Sequence, residues 1–312
     1  MKILEKVLKH PLLIDKPPVL IDIGASENLN PKWKSFSKFS ICIAFDADER
    51  DFSITSNENT HFKKLYKINR IVSANDSNVQ NFYLTKSPYC SSSLKPDFLS
   101  LSNYCFCDKF EIVSEKKLSA VRIKNILKEL NISYVDWFKA DSQGTDLRLF
   151  LDLGEDIYKN VLVAELEPGI IDAYINEDKI TDVLIKFNEL KFWCSEFIVK
   201  GDVRMNHNLL NYLSKNEIVK KFFRLSLKMS PGWAELMFFN SFKENNSLRG
   251  YLLGWIFSVS QKQYGFALEL VDKARKNFDD PISNELFLKT KSLINHQLLN
   301  KNLILQFLKS KF

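Results

Sequence analysis

Up to about residue 205, short apolar runs alternate with amphipathic segments, and polar or proline-bearing turns separate them. VLIDI at 19–23, ICIAFD at 41–46, INRIVSA at 68–74, YVDWFKAD at 134–141 and VLVAELE at 161–167 read as buried strands, being short and rich in β-branched and aromatic residues. NFYLT at 81–85 alternates as a half-buried strand, 110–121 reads as an edge or hairpin strand, and FWCSEFIV at 192–199 as another strand. Helices are expected at 3–9, where Pro11 ends the run, at 32–38 behind Pro31, and from Glu49 to Asn57. Further helices are expected at 122–131, where Ile123, Ile126, Leu127 and Leu130 share a face, at 145–151 and at 178–190.

Strand–helix alternation of this kind predicts an α/β fold with a doubly wound, mostly parallel sheet. Right-handed crossovers would then gather the loops after the first, second and fourth strands on one edge. Beyond about residue 208 the pattern turns helical, over 209–228, 233–243, 248–260, 263–277 and 281–310. The expected organisation is a domain over 1–207 with a helical C-terminal region over 208–312 packed on it. That region is placed to shape substrate choice or to form a homodimer contact.

Composition changes little in this picture. Hydrophobic residues make up 45%, as in ordinary globular chains, and 25 phenylalanines imply an aromatic core. The net charge of +6 is spread over pairs such as Lys63/Lys64, Lys116/Lys117 and Lys220/Lys221. No focused basic stripe stands out along the chain, so neither nucleic acid nor a lipid surface is expected as a partner. No apolar run reaches the roughly 18 residues of a membrane span. The five scattered cysteines point to a reducing, cytoplasmic setting, and Cys90, Cys105 and Cys107 lack a second pair at zinc spacing.

The candidate chemistry begins at Asp22 and Gly24. Asp22 ends a buried strand, and Gly24 lets the backbone turn sharply. A dinucleotide site needs several glycines for close approach to a pyrophosphate, yet this loop continues Ala25, Ser26, Glu27, Asn28. The turn suits a ligand with an amino acid and a ribose but no phosphate, such as S-adenosylmethionine. Asp22 would face the ammonium group, the N–H groups after Gly24 the carboxylate, and Asp46 the ribose hydroxyls. The competing reading makes Asp22 and Asp46 helix caps, with Asp48 better placed than Asp46 for that task.

VLIDIGAS, AFDAD, VSANDSNVQNFYLT with SPYCSSSL, DWFKADSQGTDLRLF and VLVAELEP occur in that order over about 18–205. Together they resemble the FkbM-type methyltransferases, a class I S-adenosylmethionine-dependent family. The resemblance implies a Rossmann-like sheet and cofactor contacts from Asp22, Gly24, Ala25, Ser26, Asp46 and Ala47. It also implies contacts from Asp76 to the adenine and from Ser92 in the serine-rich loop. This chain departs from the family with Ser26 for Asn, Asn28 for Gly, Asp46 and Ala47 for Glu-Pro, and Asp146 for Glu.

An acceptor hydroxyl must lose a proton as it takes the methyl group, and a carboxylate beside it can receive that proton. Asp141, ending the fourth strand, is the expected catalytic base. Its alternative role is a turn cap on the N–H groups of Gly144 and Thr145. Lys139, Gln143, Asp146 and Glu165 rank behind it, and a magnesium ion on Asp141 with Glu165 or Glu167 is a minor alternative. The expected activity is O-methylation of a sugar, polyketide or similar small-molecule or glycan acceptor. Two rivals remain: a nucleic-acid methyltransferase, although ADSQG lacks the flipped-base motif, and a non-catalytic S-adenosylmethionine-binding module.

Overall fold

The computed structural model describes residues 2–25, 30–45, 61–243 and 247–298. Its strands are β1 (Val19–Ile23), β2 (Ile41–Phe45), β3 (Lys64–Ile68), β4 (Ile71–Val72), β5 (Val79–Thr85), β6 (Ile112–Val121), β7 (Trp137–Ala140), β8 (Val163–Leu166), β9 (Phe192–Val203) and β10 (Met229–Asn240). Seven of them form one sheet in the order β3-β2-β1-β7-β8-β10-β9. The first five in that order are parallel, and β10 runs antiparallel to both β8 and β9. A small second sheet holds β6 between β4 and β5. The fold is thus mixed α/β with a mostly parallel sheet and a helical C-terminal region, an arrangement compatible with a Rossmann-like fold.

The period of two in each central strand divides the core. Leu20, Cys42, Trp137, Val163 and Phe239 point to one face, while Ile21, Ile43, Phe138, Ala164 and Phe238 point to the other. The first face packs against the N-terminal helix Lys2–Leu8 and the helices Leu248–Ser260, Tyr264–Asn277 and Pro281–Leu298. The second packs against Ile123–Glu129, Asp146–Asp152 and Ile180–Glu189. Arg249 fixes the C-terminal helices to the sheet. It donates to both carboxylate oxygens of Asp136 at 2.8 Å and to the Lys16 carbonyl at 3.0 Å. Asp136 in turn accepts the Val19 N–H at 2.9 Å, so one ion pair registers the first strand, the fourth core strand and the tail. No helix among the described residues is long and apolar enough to cross a membrane.

Three expectations need correction. Residues 233–243 were expected to be helical, yet 229–240 form β10. Ala234, Leu236 and Phe238 pack on one face, and Met237 and Phe239 on the other. A run buried on both faces is apolar throughout, and its periodicity cannot distinguish helix from strand. The third sheet strand lies at 64–68 and not at 68–74, where only residues 71–72 pair, in the small sheet. As an edge strand, β3 keeps Lys64 and Lys67, so it lacks the apolar run of a core strand. The helix expected over 32–38 is instead two short 3₁₀ turns, Pro31–Trp33 and Ser37–Phe39, which bring Trp33 and Phe36 together into the core. The helix expected from Glu49 to Asn57 and the end of the last helix, beyond residue 298, lie outside the described residues.

Candidate functional site

β1 lies between β2 and β7, where the strand order reverses. Doubly wound sheets bind ligands outside the carboxyl ends of their strands at such a switch point. Gly24 closes β1 there with φ +79°, and a Cβ on it would lie 2.4 Å from the Asp141 carbonyl oxygen. Both the backbone conformation and the lack of space therefore demand glycine. The Gly24 and Ala25 N–H groups donate to the Phe45 carbonyl at 3.0 and 3.2 Å. These two donors close the turn, so they are already engaged and do not wait for a carboxylate. Ser26, Asn28, Asp46, Ala47 and Asp48 lie outside the described residues.

Asp22 is 1% exposed, and the Lys139 ammonium donates to its Oδ1 at 2.8 Å. Oδ2 is buried and has no hydrogen-bond partner among the described residues. The two residues are register partners on adjacent strands, and Lys139 is also the register partner of Glu165 on β8. Glu165 accepts from Asn30 and Trp137 at 2.8 Å and from Lys32 at 2.7 Å, and Lys32 reaches Glu196 at 3.2 Å. A row of alternating charge, Asp22, Lys139, Glu165, Lys32, Glu196, therefore crosses the sheet at its carboxyl edge. Burial lowers the affinity of both lysines for their protons, but the carboxylates outweigh it and leave both pKa values raised. Glu165 thus already accepts three hydrogen bonds. No group of three or more His, Cys, Asp or Glu among the described residues is arranged to hold a metal ion.

The turn after β7 frees Asp141 from capping. Ser142 Oγ accepts from the Thr145 N–H at 3.2 Å and from the Thr145 hydroxyl at 2.7 Å. Asp146 accepts from the Ser142 N–H at 2.9 Å and from the Glu167 N–H at 2.7 Å, fixing the turn against the end of β8. Gln143, at φ +57°, donates its amide to Asp141 Oδ1, and its Oε1 lies 3.0 Å from the Tyr174 hydroxyl. Asp141 is left facing a cavity of about 330 Å³, whose walls include Gln143, Glu167, Tyr174, Trp233 and Glu235. Phe106 and Phe110 complete its aromatic side.

Burial raises the pKa of Asp141, opposed by Lys139 and the Gln143 amide and assisted by Asp22 and Glu235. Glu167 is pushed up to about 9, first by burial and then by the charges of Asp141 and Asp146. Asp146 is pushed up to about 6 by burial, against the hydrogen bonds it accepts. The wall therefore holds at least one proton at neutral pH. A carboxyl group raised on folding stabilises the fold below its unfolded value, and that stabilisation is lost as pH rises through the folded value. Glu167→Gln is accordingly expected to flatten the decline in stability between about pH 4.5 and 9. Urea midpoints measured across that range check this, and an unchanged slope would remove Glu167 from the proton inventory.

Ser92 and Asp76 do not line this cavity. Ser92 is fully buried, donates to the Gln143 carbonyl at 2.7 Å and accepts the Leu94 N–H at 3.0 Å. Its hydroxyl positions the turn carrying Gln143 and Asp141. The Asp76 side chain is 85% exposed and pairs with Arg122 at 2.6 Å, away from the cavity wall. No motif marks Tyr174, Trp233 or Glu235 as site residues in the sequence, and Glu167 has only a minor place there. The apolar–Glu–Pro end of β8 was the one available signal for Glu167. No family model, curated protein or solved structure matches this chain.

Proposed function

We propose that this protein is an S-adenosylmethionine-dependent methyltransferase acting on a hydroxyl of a small-molecule or glycan acceptor. The observation that carries this reading is the placement of Asp141, beside the Gly24 turn and on the wall of an aromatic, proton-holding cavity. The residues at the turn fit the cofactor. Asp22 Oδ2 is a buried acceptor without a donor among the described residues, suited to an ammonium group.

When bound, the cofactor supplies a methyl group on a cationic sulfur, open to in-line attack. Alignment then provides much of the rate, and the protein's task is to hold the acceptor oxygen and remove its proton. Glu167, pushed up to about 9, keeps its own proton, which leaves Asp141 as the carboxylate to take the proton of the acceptor hydroxyl. Gln143, anchored by Tyr174 and Ser92, holds the Asp141 carboxylate in one orientation. Trp233, Phe106 and Phe110 offer flat apolar faces to the acceptor and exclude water.

Calorimetric titration with S-adenosylmethionine and S-adenosylhomocysteine tests the reading. Binding of both is expected to weaken about tenfold or more in Asp22→Asn, since a charged hydrogen bond contributes about 1.5–3 kcal/mol. Wild-type protein that binds neither compound would end the proposal.

A further inference from the structure

Between β9 and β10 the chain leaves the sheet for two helices, His207–Leu213 and Glu217–Ser226. The second is amphipathic yet faces the wrong way for a helix packed on a core. Ile218, Phe222 and Leu225, which share one side, are 68, 66 and 74% exposed. On the opposite side, the Lys220 and Arg224 side chains are only 12 and 29% exposed. Lys220 is tied to Glu217 at 2.6 Å, and Arg224 is turned inward onto Asp202. Tyr212, 86% exposed, and Leu213, 50% exposed, extend the apolar surface onto the first helix.

The charge around this surface has one sign. Between residues 207 and 229 there are five Lys or Arg residues and a single acid, Glu217, which is already paired with Lys220. Lys215, Lys221 and Lys228 are exposed beside the apolar side chains. The hairpin thus sets three exposed lysines beside exposed apolar side chains, which the spread of charge over the whole chain obscures. A second copy packed on this face about a two-fold axis would bring the same lysines together, which argues against self-association. An anionic surface with an apolar layer beneath it complements both features.

We propose that the helical hairpin 207–229 docks the protein peripherally onto an anionic lipid bilayer. Ile218, Phe222 and Leu225 enter the boundary between headgroups and acyl chains, and Lys215, Lys221 and Lys228 lie at the phosphates. Because Asp202, Arg224 and Trp233 also line the cavity, docking holds the cavity next to the bilayer. The inference stands on the hairpin alone and does not depend on the proposed activity.

Co-sedimentation of the full chain with vesicles of phosphatidylcholine plus phosphatidylglycerol, and of phosphatidylcholine alone, tests it. Wild-type protein is expected to pellet with the anionic vesicles and much less with the neutral ones. Phe222→Asp combined with Leu225→Asp is expected to lower the partition coefficient at least tenfold at unchanged melting temperature. Lys215→Glu, Lys221→Glu and Lys228→Glu together should abolish the preference for anionic lipid. Three results would overturn the proposal. Wild-type protein could stay in the supernatant, or the aspartate variant could pellet like wild type. Sedimentation velocity could instead reveal a dimer that the aspartate variant splits, which would assign the face to a second copy.

Discussion

Alanine at position 22 is expected to destabilise the fold by about 3–5 kcal/mol, the usual consequence of leaving a buried charge without its partner. Asp22 is 1% exposed, and the Lys139 side chain that it neutralises is 21% exposed. Lys139 makes its one side-chain hydrogen bond among the described residues to Asp22, and Asp141 acts on it through charge alone. Glu165, its neighbour on β8, already serves Asn30, Lys32 and Trp137. Urea unfolding should show a lowered midpoint at unchanged slope. Removing both charges, as in Asp22→Leu with Lys139→Met, should recover much of the loss, while under the proposed function S-adenosylmethionine binding stays weakened. An Asp22→Ala protein as stable as wild type would mean that the pair contributes nothing to the fold.

The second large effect belongs to Asp141. Asp141→Asn preserves the shape of the cavity wall but cannot accept a proton, so acceptor methylation is expected to fall about 10²–10⁴-fold, as for loss of a general base. Cofactor affinity should change little, because Asp22 and Gly24 are untouched. The pH profile gives the finer test. Wild-type rate should rise with pH as Asp141, whose pKa burial raises, becomes the free anion. The asparagine variant should lack that rise. Initial rates with labelled methyl donor, on an acceptor recovered by screening extract, would read both quantities. An undiminished rate in the variant would reduce Asp141 to a residue that merely lines the cavity.

The parallel half of the sheet was legible because its strands obey local rules. β1, β2, β7 and β8 are short apolar runs that end at acids or a glycine turn, and Gly24 and Asp141 meet as strand topology requires. Beyond it β9 was legible too, over 192–199, while two other strands were not. β10 is buried on both faces and carries no period to read, while β3, although parallel to β2, is too polar because it lies on the edge. At the site, Asp22 was legible as a strand-ending acid, but its partner was not. Lys139 is adjacent only through the pairing of β1 with β7, which no local window contains. Trp233 reaches the cavity from β10, whose strand character has no local period, and Tyr174 reaches it from the loop after β8, which carries no motif. Ser92 and Asp76 matched a motif by type and order alone, and packing decided where their polar atoms went.

The place of β10 also orders events in time. β9 pairs with β10, while β10 pairs with both β8 and β9, so the last-made strand enters between two that are synthesised before it. At about 5–20 residues per second, β9 waits seconds on a ribosome before its neighbour exists. A nascent chain stopped just after residue 203 would expose the open sides of β8 and β9 together, and chaperones that shield unpaired strands would find their substrate there. The sheet is complete only once β10 is seated between β8 and β9, with the intervening helices left protruding from the connection.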